Sequence, residues 1–211
     1  MDHLRDALLL HNSGIWQGCF VRLDHTGKEH ERFPTSLEVN EDEGFIQTYL
    51  TYKQSGRQQS MNFGSLPASM QVTRTGHWST GPSFITPWSW VAELCVVNQQ
   101  QRRRMIVRHG VSGLDRVIYV VEAKQGVLQA DPLQPLHCQS TSLGSLLIWR
   151  PEPGVELFLD PRDRQQGDTT GCGIRWCDQN GITHQILRQY NAEGALSPLS
   201  DSWIDQPSCA H

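Results

Sequence analysis

Apolar and polar residues alternate singly over short runs, and no segment carries the three-and-four spacing of a long amphipathic helix. The first clear run is Ile15 to Leu23. Strand side chains alternate, so Trp16, Gly18, Phe20 and Arg22 share one face. Asp24-His25-Thr26-Gly27-Lys28 reads as a turn, with Asp and Gly supplying local hydrogen bonding and positive φ. Thr35 to Val39 and Phe45 to Tyr52 are strand-like runs, joined by an acidic loop, Asn40 to Gly44. The second run is apolar on both faces, as a barrel wall covered outside as well as inside would be. Gln54 to Ser89 is rich in Gly, Ser, Thr and Pro and predicts short strands between long loops. Further strands are expected at Trp90 to Asn98, Arg104 to His109, Leu114 to Lys124, Leu143 to Trp149, Val155 to Leu159, Gly173 to Cys177 and Ile182 to Tyr190. Asn180-Gly181 between the last two is a strong hairpin signal.

About ten short strands punctuated by turns predict an all-β antiparallel barrel or sandwich. The chain has 211 residues and reads as a single β-barrel domain, 1–211. Residues 1–12 read as a short N-terminal helix covering one end, and about 195–211 as a tail around Trp203. Trp16, at the start of the first strand, is placed to plug the closed end. Its flanking glycines, Gly14 and Gly18, let backbone pass close around it.

Charge narrows the function. Eighteen Lys and Arg against 22 Asp and Glu give −4, which argues against a nucleic-acid binder. No apolar run reaches transmembrane length, and the N-terminus is a poor signal peptide, so a cytoplasmic protein with no membrane span is expected. The six cysteines are scattered through a long chain and read mostly as free thiols in a reducing compartment.

The segment Gly14-Ile15-Trp16-Gln17-Gly18 resembles the first-strand signature of lipocalins and fatty-acid-binding proteins. Its continuation Phe20 to Gly27, the stretch Arg102 to Val107 through Ile118, and Gln185 to Tyr190 resemble a cyanobacterial lipocalin-like family of unknown function, the DUF3598 group. The superfamily also holds the S-type phycobilin lyases, which carry an open-chain tetrapyrrole to a phycobiliprotein cysteine. The resemblance implies an up-and-down lipocalin-like (calycin) barrel with one open end. It implies a ligand pocket by analogy.

The candidate ligand-binding residues follow from that face. Arg22 shares it with Trp16 and Phe20, and a buried guanidinium needs an anion. The partner is either a ligand carboxylate, which Arg binds bidentately, or an internal acid, Glu122 or Glu93, unless Arg22 takes a slot at the exposed end of the strand. Arg108 and Arg116 recur on strands in the same way, as do Arg150 and Arg188. Trp88, Trp90 and Trp149 suit a planar or chain-like apolar ligand, although Trp in a barrel is more often core. The histidines form no metal spacing; His184 alone would suit a heme axial ligand of the nitrobindin type. Cys172 and Cys177 fall on opposite strand faces, against a shared zinc site. No P-loop, Gly-x-Gly-x-x-Gly, His-Glu-x-x-His or Gly-x-Ser-x-Gly motif is present, so catalytic residues stay unassigned.

These observations predict a binding protein for a small amphipathic, anionic molecule. A bilin comes first, as the resemblance implies, in a role as either chromophore lyase or pigment chaperone with a phycobiliprotein subunit as partner, and whether there is turnover stays open. No cofactor is required. The alternatives are a ligand-free interaction scaffold with a packed interior and a heme-binding barrel.

Overall fold

A computed structural model describes residues 2–86, 89–127 and 135–199. The leading helix, α1 (Asp2–Asn12), stops just before Gly14, whose φ of 118° turns the chain into the first strand. Nine strands follow: β1 (Gly14–Leu23), β2 (Glu29–Asp42), β3 (Phe45–Tyr52), β4 (Gln58–Phe63), β5 (Gln71–Val72), β6 (Trp78–Thr80), β7 (Trp90–Asn98), β8 (Gln101–Gly110) and β9 (Gly113–Lys124). They form one antiparallel sheet in the order β4-β3-β2-β1-β9-β8-β7-β6-β5. A second antiparallel sheet runs in sequence order through β10 (Gln139–Leu143), β11 (Leu146–Arg150), β12 (Val155–Leu159), β13 (Thr170–Cys177) and β14 (Thr183–Tyr190).

The large sheet is strongly curled into a half-barrel. Ile46 on β3 and Val72 on β5 stand near opposite ends of its strand order, yet both pack in one apolar cluster with Trp16, Leu37 and Val97. Only the concave side of a curl brings such strands together. Helix α1 covers this cluster through Leu8 and Leu9.

The convex side carries the main core. Cys19, Val21, Ala92, Leu94, Val96, Met105, Val107, Val117 and Tyr119 point outward from β1 and β7–β9. They meet Trp149, Leu157, Leu159, Cys172, Ile174 and Ile186 from the second sheet. Strands β7 and β9 are rich in Val, Leu and Ile over the stretches Leu94–Val97 and Val117–Val121, where nearly every residue is buried.

The expected single closed barrel differs from this arrangement. Among the described residues β4 and β5 are not paired, and the last five strands form a separate sheet on the outside of the curl. The run expected as one strand from Leu143 to Trp149 splits at Gly144, whose φ of 59° makes the β10–β11 turn. The hairpin at Asn180-Gly181 forms as the sequence predicts. Gly181 has φ of 76°, and the Asp178 carboxylate accepts from the backbone N–H of Asn180 and Ile182. No helix among the described residues is long and apolar enough to cross a membrane.

Candidate functional site

The register of the large sheet fixes which side chains enter the concavity. Trp16, Gly18, Phe20 and Arg22 on β1 pair with Lys124, Glu122, Val120 and Ile118 on β9. Those in turn align with Arg102, Arg104 and Ile106 on β8, and then with Val97, Cys95 and Glu93 on β7. Opposite them, β2 and β3 contribute Phe33, Thr35, Leu37, Leu50 and Tyr52.

The closed end is built around Asn12, the last residue of α1. Its Nδ2 donates to the carbonyls of Leu8 (3.0 Å) and Gly76 (2.9 Å). Its Oδ1 accepts from Trp78 Nε1 at 3.2 Å, and its carbonyl accepts from Trp16 Nε1 at 2.8 Å. Both indoles at this end thus find acceptors on one residue, and Trp16 is fully buried.

Above Trp16 lies a buried charge network. Glu122 is completely enclosed and accepts from Arg102 Nε at 2.5 Å and from Arg104 Nη1 at 2.8 Å. Arg104 also pairs with Glu93. The Arg102 guanidinium sits 4.2 Å from the Trp16 ring centroid, and Arg104 lies over Phe20 and Trp78. Lys124 approaches the Trp16 ring as well, at 5.3 Å. Burial pushes the Glu122 carboxyl up, but the two guanidiniums outweigh it and hold the group below its ordinary value. Burial lowers Arg104 and its two carboxylates raise it further, so it stays charged.

Two guanidiniums, Arg102 and Arg104, pair with two carboxylates, Glu122 and Glu93, and the half-exposed Lys124 stands beside the Trp16 ring. Two buried polar atoms here have no partner. Arg102 is 1 % exposed, and its Nη2 donates to nothing; Thr35 is fully buried, and its Oγ1 is likewise unpaired. Buried donors in native proteins are nearly always satisfied, and among the described residues these two stand out on the concave face as unmet.

Toward the mouth the lining becomes apolar and aromatic. The Phe20 and Tyr52 ring centroids are 6.1 Å apart, and those of Phe33 and Tyr52 6.4 Å. Ile106, Ile118 and Leu50 are half-buried on the same face. The arrangement offers a cationic floor and an apolar wall. Charged groups thus lie at the Trp16 end of the concave face and apolar and aromatic groups toward its mouth.

The residues singled out in the sequence fall into two groups. Trp16, Phe20 and Arg22 do share the concave face. Arg22, however, is half-exposed and already paired with Glu31 at 2.7 Å, neither Glu122 nor Glu93 being its partner. Its guanidinium lies over Phe33, and its Nε is unpaired. Arg108 and Arg116 face each other across the β8–β9 pair on the same side, both exposed, with Arg108 3.2 Å from Asp115.

Trp90 and Trp149 lie on the opposite side, in the core between the sheets. Trp88 lies outside the described residues. His184 sits between the sheets, 3.2 Å from Asp178 and against Trp176 and His77. Among the described residues no group of three His, Cys, Asp or Glu side chains is placed to hold a metal. Cys172 is fully buried, and that burial pushes its thiol up to about 12, which makes it a packing residue. Arg150 pairs with Glu156, and Arg188 is buried between the sheets.

The network residues themselves, Arg102, Arg104, Glu93, Glu122 and Thr35, were not among the expected ligand contacts. One signal for them was present. Arg102 and Arg104 are two apart and therefore share a strand face, and an acid lies on each neighbouring strand.

The comparisons with known proteins agree with this architecture. Among curated proteins none matches. A crystal structure of a protein of unknown function from the DUF3598 family of Nostoc punctiforme superposes with a TM-score of 0.71. It is 16 % identical, over 92 % of this chain and 95 % of that one, so the likeness is one of fold. Residues 3–127, more than half of the chain, match the N-terminal part of the domain of unknown function DUF3598. The chain belongs to the DUF3598 family.

Proposed function

We propose that this protein binds an amphipathic carboxylate in the concavity of a lipocalin-like half-barrel. The observation that carries the reading is the orphaned Nη2 of Arg102, buried over Trp16 with the Lys124 ammonium beside the same ring. A carboxylate at this point accepts from Arg102 Nη2 and from the Thr35 hydroxyl. Its apolar body runs outward along Phe20, Phe33, Tyr52, Ile106 and Ile118. The protein's contribution is to desolvate that body and to hold the acid group in a preorganised fork.

A bilin is the first ligand to try. Its conjugated chain suits the aromatic wall and its propionates suit the guanidinium floor. Titration of the purified protein with biliverdin, followed by absorbance, is expected to give a saturable red shift. Thr35→Val keeps shape and charge but removes one donor, and is expected to weaken binding by about tenfold, the worth of a hydrogen bond to a charged group. Arg102→Met is expected to weaken it further. No saturable change with biliverdin or with a long-chain fatty acid sinks the reading and favours a packed interaction scaffold.

A further inference from the structure

A second cluster of unpartnered polar atoms lies on the other side of the large sheet. Trp90 opens β7 and pairs in register with His109 near the end of β8. Their rings stack at 4.4 Å with 9° between planes, and Tyr190 of β14 meets the Trp90 ring edge-on at 5.2 Å. The loop after β12 closes over this corner. A Cβ at Gly113 would stand 2.8 Å from the Pro161 carbonyl, so loop and β8–β9 turn are in direct contact.

Here Trp90 Nε1, both ring nitrogens of His109 and Arg164 Nε are all buried and all without a hydrogen-bond partner. His109 is 2 % exposed, Trp90 4 % and Arg164 8 %. His109 feels both Asp160 and Arg164 electrostatically, and Tyr190 feels Arg164 and Arg188.

The ion pairing of this corner leaves Arg164 out. Asp160 is fully engaged, by Arg162 through both carboxylate oxygens and by the Thr170 hydroxyl at 2.8 Å. Arg164 donates from Nη2 to the Asp168 carbonyl and feels Asp160 and Asp168 electrostatically, but among the described residues no carboxylate lies within ion-pair distance of it. Arg188 is fully buried and spends its donors on neutral oxygens: the Tyr190 hydroxyl, the Ser79 hydroxyl and the carbonyls of Ser69 and Pro82. Two buried guanidiniums without an ion-pair contact among the described residues, beside three unmet ring nitrogens, are the reverse of what a finished core contains.

We propose that the corner formed by Trp90, His109, Arg164 and Tyr190 is a binding site for a small oxyanion. The ion accepts from Trp90 Nε1–H, from Arg164 Nε–H and from one N–H of His109, and its charge offsets Arg164 and Arg188. The stack fixes the indole and imidazole rings before the ion arrives. The site is independent of the concave face, since β7 and β8 separate the two.

The test uses the full chain, labelled with 15N-histidine, titrated at neutral pH with inorganic phosphate and, separately, with acetate. The His109 ring nitrogens are expected to shift saturably with at least one of the two anions. Trp90→Phe keeps the stack and deletes one donor; Arg164→Gln removes the charge. Each is expected to weaken the binding by about tenfold or more. Phosphate without acetate identifies an inorganic ion as the occupant, and acetate alone identifies a carboxylate; either supports the site. No saturable shift of His109 in the wild-type protein with either anion overturns it. So does binding that is equal in wild type and in both variants, and so does a crystal structure with water alone on these four atoms.

Discussion

The Cγ of Glu122 lies 2.4 Å from where a Cβ on residue 18 would stand, and the Val121 carbonyl lies 2.5 Å from the same point. Gly18 is therefore a glycine because β9 and the Glu122 stem occupy the space a side chain would need. Its φ is unremarkable; the demand is for room. The Gly-x-Trp-x-Gly element thus has three separable tasks. Gly14 supplies a positive φ after the helix, Trp16 closes the end, and Gly18 admits the acid that holds Arg102 and Arg104.

Gly18→Ala should destabilise the protein by about 2–3 kcal/mol, because the obstruction is partly backbone and cannot rotate away. Gly173→Ala is the matched control. Its would-be Cβ meets the Leu187 Cδ2, the far end of a flexible side chain, at 2.2 Å. That substitution should cost less than about 1 kcal/mol. Denaturant unfolding of the two variants measures the difference, and equal losses would mean Leu187 is as immovable as the β9 backbone.

Glu122→Gln leaves two buried guanidiniums facing a neutral amide and should cost about 3–5 kcal/mol. Arg102→Met combined with Glu122→Met should recover part of that loss, since Arg104 keeps Glu93. The Glu122 carboxyl is held below its ordinary value of 4.5, so its stabilising contribution is present above that pH and is lost as the pH falls through the lower folded value. Unfolding curves at several acidic pH values should show this loss in wild type and lack it in Glu122→Gln.

Two histidines act at higher pH. Burial lowers His109 to about 4, against a smaller upward pull from Asp160 and a downward one from Arg164. Burial likewise lowers His77 to about 4, with His184 and His11 adding to the effect. Both are held neutral, so the unfolded chain binds more protons between pH 6.5 and 4. Stability should therefore fall with decreasing pH across that window, by on the order of 3 kcal/mol for each group. His77→Gln and His109→Gln should each flatten the slope. A wild-type stability that is constant across the window would contradict this.

Asn12→Ala removes the acceptor of Trp78 Nε1 and the donor to Gly76 O at once. Both are part of a buried cluster, and the loss should be about 2–3 kcal/mol. Trp16 keeps its bond to the residue 12 carbonyl, so its fluorescence should stay that of a buried indole. An exposed emission maximum would show that the helix end had let go as a unit.

The strands were legible because alternation and turn chemistry are local. Trp90–Asn98, Phe45–Tyr52 and the Asn180-Gly181 hairpin need only neighbours to explain them. What alternation cannot say is which face is the inside. Trp90 and Trp16 both stand at strand starts with apolar alternation behind them, yet one lies between sheets and the other in the concavity. The difference is set by how β9 closes onto β1, a pairing across about a hundred residues that no local pattern encodes. Arg22 looked like the buried arginine because it follows Trp16 and Phe20. It reaches the mouth of the half-barrel, where Glu31 from the next strand neutralises it. The arginines that are buried lie on β8 and become visible only once β8, β9 and β1 are aligned.

The most direct test compares biliverdin with its dimethyl ester, titrated into wild type and Arg102→Met. Both pigments share the apolar body, and only the acid carries the anion proposed as the partner of Arg102. The free acid should bind wild type at least about tenfold more tightly than the ester, and Arg102→Met should abolish that preference. Equal binding of acid and ester by wild type, or a preference that survives in Arg102→Met, would contradict an arginine-anchored carboxylate in the concavity.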